Sequence, residues 1–171
     1  AQTKTIKLGT AIMQITARAP AMTAMTAMTL SSLSEGRFIL GLGSSGPQIV
    51  EGLHGQSFER PLSRMKETIE VIRAAFAGEK ITVSGEQIQL PLPGGEGRPM
   101  RLAQPPNEEI PIYLATLGPK SLEYTGQVAQ GWIGTAFTPE RADALLDPIW
   151  AGAGLAKREK SQIDIHVGAA S

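Results

Sequence analysis

Gly36-Arg37-Phe38-Ile39-Leu40-Gly41-Leu42-Gly43-Ser44-Ser45-Gly46-Pro47 reads as a short apolar strand that runs straight into a glycine-rich turn. Glycine lets the backbone take positive φ and lets a ligand approach the main chain closely. A buried strand that opens into such a turn is where α/β proteins bind phosphorylated cofactors. The same run spells G-x-G-x-x-G, so a dinucleotide fingerprint competes with a plain strand-end reading. The fingerprint requires a helix directly after its third glycine, then a strand ending in Asp or Glu about 20 residues on. Here Pro47 to Gly55 follows, with further glycines at Gly52 and Gly55, and the position for that second strand falls at the start of a long amphipathic pattern. The spacing disfavours a Rossmann unit.

Working outward, four more apolar segments read as strands: Thr5 to Met13, Ile110 to Ala115, Gly131 to Phe137 and Ile163 to Val167, with Arg37 to Leu42 making five. Helical patterns lie between them. Pro20 suits the first turn of a helix to Leu33, where its missing N–H costs nothing. From Phe58 to Phe76, Leu62, Met65, Ile69, Ile72 and Phe76 recur at one helical face, and Gly78 ends the pattern. A third helix starts at Pro119 and stops before Gly131. A fourth has Thr138 as N-cap, Pro139 at its first position and Glu140 in its first turn, with Pro148 expected to break or kink it. The three Ala-Met-Thr copies from Ala21 to Thr29 read as part of the first helix, packed on the sheet, with methionine filling irregular space.

Strand–helix alternation argues a parallel sheet of βα units. Lys80 to Pro106 interrupts it. Its short alternating runs and Pro-Gly-rich stretch predict an excursion, a β-hairpin with a floppy tip, too long for an ordinary connection. Residues 1–171 are expected to form a single domain that carries 79–109 as this insertion.

Bulk composition narrows the function. Lys and Arg number 16, as do Asp and Glu, so no net charge favours a nucleic-acid or membrane surface. Cysteine is absent, which excludes disulfides and thiolate metal sites. The two histidines, His54 and His166, are too isolated for a histidine metal centre, and no metal is expected. No apolar run approaches the ~20 residues of a membrane helix. A cytoplasmic protein acting on a small molecule is expected.

Ligands of parallel α/β sheets gather at the carboxyl ends of strands. Three of these ends are built from small and hydroxyl residues. The first runs Gly9-Thr10-Ala11-Ile12-Met13-Gln14, the second Gly41-Leu42-Gly43-Ser44-Ser45-Gly46, and the third Ala115-Thr116-Leu117-Gly118-Pro119-Lys120. Together they leave room for a flat ligand against backbone. The third turns directly into a helix, whose free N–H groups offer an anion site beside Lys120. Positive φ is expected at Gly43 or Gly118. Gln14 is placed to hydrogen-bond a ring carbonyl. His54, in the loop beyond the second strand, reads first as a loop or capping residue and second as a ligand contact. His166 reads as structural, and Trp132 and Trp150 as packing residues. No nucleophile triad or carboxylate pair stands at these ends.

Leu8-Gly9-Thr10-Ala11-Ile12, then Pro20-Ala21, then Leu33 to Gly43 resembles the bacterial-luciferase-like flavin and deazaflavin oxidoreductases. Ser45-Gly46-Pro47-Gln48-Ile49-Val50-Glu51-Gly52, Arg60-Pro61-Leu62, Ile110 to Leu114 and Gly118-Pro119-Lys120 are similar to the branch that uses coenzyme F420. The resemblance implies a TIM barrel with an insertion, binding F420, or alternatively FMN, at the strand carboxyl ends. It implies a non-proline cis peptide at Ala11–Ile12 backing the ring system and a phosphate near Gly118 and Pro119. Cofactor contacts would then come from Ala11, Ile12, Gln14, Gly43, Ser44, Ser45, Gly46, Leu117, Gly118, Pro119 and Lys120.

A complete (β/α)8 barrel takes about 250 residues. The five strands here would match the third to seventh, a partial TIM barrel. The resemblance places substrate contacts and much of the proton-transfer machinery in the other strands, so no catalytic residue is assigned. The expected function is hydride transfer between F420 and an organic substrate by the parent protein. An FMN monooxygenase and a non-catalytic barrel fragment are the alternatives. An isolated five-strand piece has two open edges and is expected to be marginal, to dimerise or to aggregate.

Overall fold

The computed structural model describes residues 3–135 and 137–168. In chain order the elements begin with β1 (Leu8–Gly9), β2 (Met13–Gln14), α1 (Pro20–Leu33), β3 (Phe38–Gly43), α2 (Pro47–Val50) and α3 (Pro61–Phe76). The hairpin β4 (Val83–Ser84) and β5 (Gln89–Leu90) follows. Then come β6 (Ile112–Ala115), α4 (Pro119–Val128), β7 (Gly131–Gly134), α5 (Ala142–Leu155) and β8 (Asp164–Val167). The sheet order is β1-β3-β6-β7-β8, with β2 also on β3, and every pairing is parallel. The fold is an α/β half-barrel of five sequential strands, as the alternation predicts.

The first strand is not continuous from Thr5 to Met13. Gly9 pairs with Ile39 and Met13 with Leu42, so four steps on one chain face three on the other. That extra residue is a bulge. Thr10 fills the gap in the ladder: its Oγ1 donates to the Gly41 carbonyl at 2.9 Å and accepts from the Gly41 N–H at 3.0 Å. The Ala11–Ile12 peptide is cis, where the resemblance implied it.

The outward face of β3 carries Leu40 and Leu42, both fully buried, against Ala24, Ala27 and Met28 of α1 and Ile69 and Ile72 of α3. Each such side chain stabilises by about 1.5–3 kcal/mol relative to exposure. The Ala-Met-Thr helix does pack on the core, but chiefly through small residues. Three residues advance 300° around a helix, so each copy slips 60° from the last. Thr23, Ala24, Ala27 and Met28 face inward, while Met22 and Met25 stay about half exposed. Thr26 and Thr29 return their hydroxyls to the carbonyls of Met22 and Met25.

Other boundaries shift for local reasons. The second helix begins at Pro61, not Phe58, because Arg60 sits in the left-handed region at φ +46 and Pro61 takes the first helical position. Thr138 caps a short 3-10 turn, Pro139–Arg141, with no side-chain bond. Pro148 does not break α5, which runs through it to Leu155. The second half of α5 is held on α4 by two glycines. A β-carbon on Gly126 would overlap the Ile149 carbonyl oxygen, and one on Gly152 would overlap that of Glu123. The fourth strand stops at Gly134, and Ala136 of its expected extent lies outside the described residues.

The excursion is a separate two-stranded sheet, with Ile81 bridged to Met100 beyond it. The turn between its two strands is clamped. The buried Glu67 carboxylate on α3 accepts the N–H groups of Glu86, Gln87 and Ile88 at 2.9, 2.8 and 2.6 Å. Gly85 leaves no room for a β-carbon beside it. Arg60 pairs with Glu86 at 2.6 Å on the solvent side, where an ion pair contributes little.

Glu67→Ala removes three charge-assisted bonds from one turn, each worth about 1.5–3 kcal/mol before the freed N–H groups hydrate. Amide exchange at residues 86–88 is expected to quicken at least tenfold while exchange in α1 stays unchanged, as read by hydrogen–deuterium exchange. Equal exchange at 86–88 in both proteins would show the clamp to be dispensable.

Candidate functional site

The carboxyl ends of β2, β3 and β6 adjoin one another, because Gln14 pairs with Gly43 and Gly43 with Ala115. The sequence-selected residues Ala11, Ile12, Gln14, Gly43 and Ser44 to Gly46 therefore share one rim with Leu117 to Lys120. Gly43 is bare because the Ile12 side chain occupies the place of its β-carbon. The bulge thus lies flat against β3, with Ala11 exposed and Ile12 half-buried. Positive φ falls on neither Gly43 nor Gly118: Gly118 has φ −73, and the left-handed residue of the β3 turn is Ser45 at φ +60. Gly43 leaves room for the tip of the Ile12 side chain, and Gly118 has nothing nearer to a β-carbon than Ser121 Oγ at 3.5 Å.

The β6–α4 turn is held from below. Buried Trp132 donates its indole N–H to the Thr116 carbonyl at 2.9 Å, and Thr116 Oγ1 meets Thr125 Oγ1 of α4 at 2.8 Å. Trp132 is a packing residue, as read, and it also fixes this turn. Ser121 and Leu122 return their N–H groups to Gly118, while those of Leu117 and Gly118 meet no acceptor among the described residues. With Lys120 exposed on the first turn, this end of a ten-residue helix can take an anion.

Sequence reasoning missed the pairing of Gln14 with His54. The β3–α3 connection folds back so that His54 Nε2 lies 2.5 Å from Gln14 Oε1. This leaves only the NH2 of Gln14 for a ring carbonyl. Nothing in a linear pattern links positions 40 apart.

A cavity of about 570 Å3 lies along the inner face of the sheet and borders this rim at Ala11. It is lined by Lys7, Thr10, Tyr113, Ile133, Asp164 and His166. Tyr113 donates its hydroxyl to Asp164, and burial, reinforced by that carboxylate, holds the phenol well above its ordinary pKa. His166 is exposed on β8 rather than a core residue. Trp150 is half-buried with Lys160 over its ring. No described helix is long and apolar enough to cross a membrane.

The family described as luciferase-like monooxygenase matches residues 1–170. A Mycobacterium tuberculosis protein, provisionally named a coenzyme F420-dependent oxidoreductase, is 38% identical over 172 residues, covering 95% of this chain and 49% of that protein. The 5,10-methylenetetrahydromethanopterin reductase of Methanolobus tindarius is 37% identical over 163 residues, covering 95% of this chain and 47% of that protein. Among solved structures, the coenzyme F420-dependent tetrahydromethanopterin reductase of Methanopyrus kandleri superposes with a TM-score of 0.82 at 26% identity, over 97% of this chain and 50% of that one. The chain spans about half the length of the relatives it matches.

Two glycines at the rim should behave oppositely. In Gly41→Ala the new methyl would overlap the Thr10 carbonyl oxygen, a backbone atom, and stand 2.9 Å from Ile133 Cδ1. The parent protein should lose about 3 kcal/mol or more, the upper range for overpacking. Gly118→Ala has room and compatible φ, so its stability should change by less than about 1 kcal/mol. Urea unfolding of both variants checks the contrast.

Proposed function

The chain belongs to the luciferase-like monooxygenase family, and on that premise we propose that its parent protein transfers a hydride between coenzyme F420 and an organic substrate. The observation that carries this reading is the shared rim. Small-residue strand ends adjoin a helix N-terminus, and the N–H groups of Leu117 and Gly118 just before it meet no acceptor among the described residues. The F420-dependent names of two similar proteins support the choice of deazaflavin over FMN.

The residues present fit such a group. Gly43 carries no side chain, Ala11 and Ala115 are small, and Leu117 and Gly118 hold unpaired donors. A bound deazaflavin supplies a ring carbon that gives or takes a hydride. Leu117 and Gly118 would hold its phosphate through their N–H groups, with Pro119 opening α4 and Lys120 adding charge. Ala11 and Ile12 would back the ring as a flat ledge, with Gly43, Ser44, Ser45 and Gly46 beside it. Gln14 would donate its NH2 to a ring carbonyl.

The full-length protein should bind F420 with a saturable change in the cofactor's fluorescence. Lys120→Ala should raise the F420 Kd about two- to fivefold, the worth of one exposed charge pair. Binding of FMN with no binding of F420, judged by absorbance, would assign the protein to flavin chemistry. Binding of neither would leave a non-catalytic barrel.

A further inference from the structure

We propose that His54 gives and takes the substrate's proton at this rim, that Gln14 positions it, and that the substrate carries a hydroxyl or carbonyl oxygen on its reacting carbon. The inference rests on the reading of the rim as a hydride-transfer site. It places a proton-handling group in this half of the barrel, where the resemblance assigned no catalytic residue.

The geometry starts with the β3–α3 connection. His54 donates its backbone N–H to the Ile49 carbonyl at 3.1 Å, Gln56 donates to that of Val50 at 3.1 Å, and Gly55 turns the chain at φ +61. The backbone on both sides of the imidazole is therefore fixed. The side chain reaches Gln14 Oε1, across 40 residues of sequence. Gln14 is the last residue of β2, in register with Gly43, so the imidazole stands beside the proposed ring site. A loop tether would use the same bond, and the two roles differ in what the second ring nitrogen does.

An amide oxygen only accepts, so with Oε1 as partner the proton of a neutral ring is on Nε2 and the lone pair is on Nδ1. Among the described residues Nδ1 has no hydrogen-bond partner, and it is not sealed from solvent. His54 is half-buried, held on one nitrogen and open on the other. That is the arrangement a general acid–base group needs. Gln14 Oε1 can keep its bond from Nε2–H in both charge states, and the bond strengthens when the ring becomes cationic.

The proton balance selects the substrate. When a carbonyl is reduced, its carbon gains a hydride from the reduced deazaflavin and its oxygen gains the proton on Nδ1 of cationic His54. The neutral ring is then reprotonated from solvent. In the reverse direction the hydroxyl proton passes to Nδ1 as the hydride leaves carbon for the oxidised deazaflavin. An iminium carbon takes a hydride without a proton and would give His54 no task.

The test uses the full-length protein with F420 and a panel of secondary alcohols and their ketones. His54→Gln keeps an amide able to bond Gln14, so a simple loop tether survives while proton transfer does not. We expect His54→Gln to bind F420 within twofold of wild type, by fluorescence titration, with kcat lowered about 100-fold or more and KM little changed. In 15N spectra of the histidine rings, His54 should show the Nε2–H form, and Gln14→Leu should abolish that preference. Full kcat in His54→Gln, or an Nδ1–H ring in wild type, would overturn the proposal. F420 binding with no turnover of the panel by wild type overturns the substrate class and leaves the cofactor reading standing. Absence of F420 binding removes both.

Discussion

The inner face of β3 is bare at Gly41 and Gly43, and the preceding strand is seated against it there, by backbone at Gly41 and by a side-chain tip at Gly43. The space is taken by the preceding strand. The Thr10 carbonyl fills the place of a Gly41 β-carbon, and the Ile12 side chain fills that of Gly43. Thr10 Oγ1 then completes the ladder with both polar groups of Gly41. The bulge is therefore seated by backbone contact at Gly41. Beyond it β2 resumes its register, and that register brings Gln14 to Gly43. On the opposite face Leu40 and Leu42 commit β3 to α1 and α3. One six-residue strand sets both the core and the rim.

The second anchor is the β6–α4 turn. A helix N-terminus is useful to an anion only if its leading N–H groups are held away from other acceptors. Here Trp132 fixes Thr116 from the sheet side and Thr125 fixes it from the helix side. The α4 axis is in turn set by close approach to α5 at Gly126 and Gly152. The smaller hydrophobic cluster of Leu122, Trp132, Ile149, Ala153 and Ile163 thus does for α4 what the larger core does for β3.

Much of this was legible in the sequence, because the deciding signals are local. Short apolar segments marked all five strands. Apolar spacing of three and four marked α3. The small-residue strand ends marked the rim. What escaped was set by partners distant in sequence. Glu67 reads as a solvent-facing charge on an amphipathic helix until the hairpin 20 residues on supplies three N–H groups. Pro148 reads as a breaker because its local penalty is real, about 3 kcal/mol in a helix interior. Tertiary contact along Ile149–Ala153 outweighs it. Gln14 and His54 each looked weak alone, and only the return of the β3–α3 connection joins them.

The polar groups of the sheet divide into two sets with different surroundings. Tyr113 and Asp164 bond one another within the inner face, and burial keeps the phenol protonated, so this pair fixes β6 to β8 without offering a labile proton. The rim groups are the reverse. Leu117 N–H, Gly118 N–H and the second ring nitrogen of His54 have no partner among the described residues. A satisfied polar network rigidifies a fold, whereas an unsatisfied set held in place by satisfied neighbours is preorganised for a ligand. Trp132 and Gln14 are such neighbours: each uses its own hydrogen bond to hold a second residue still. Binding at the rim would then require little rearrangement of this half of the barrel, because the ordering of the donors has already been achieved in folding.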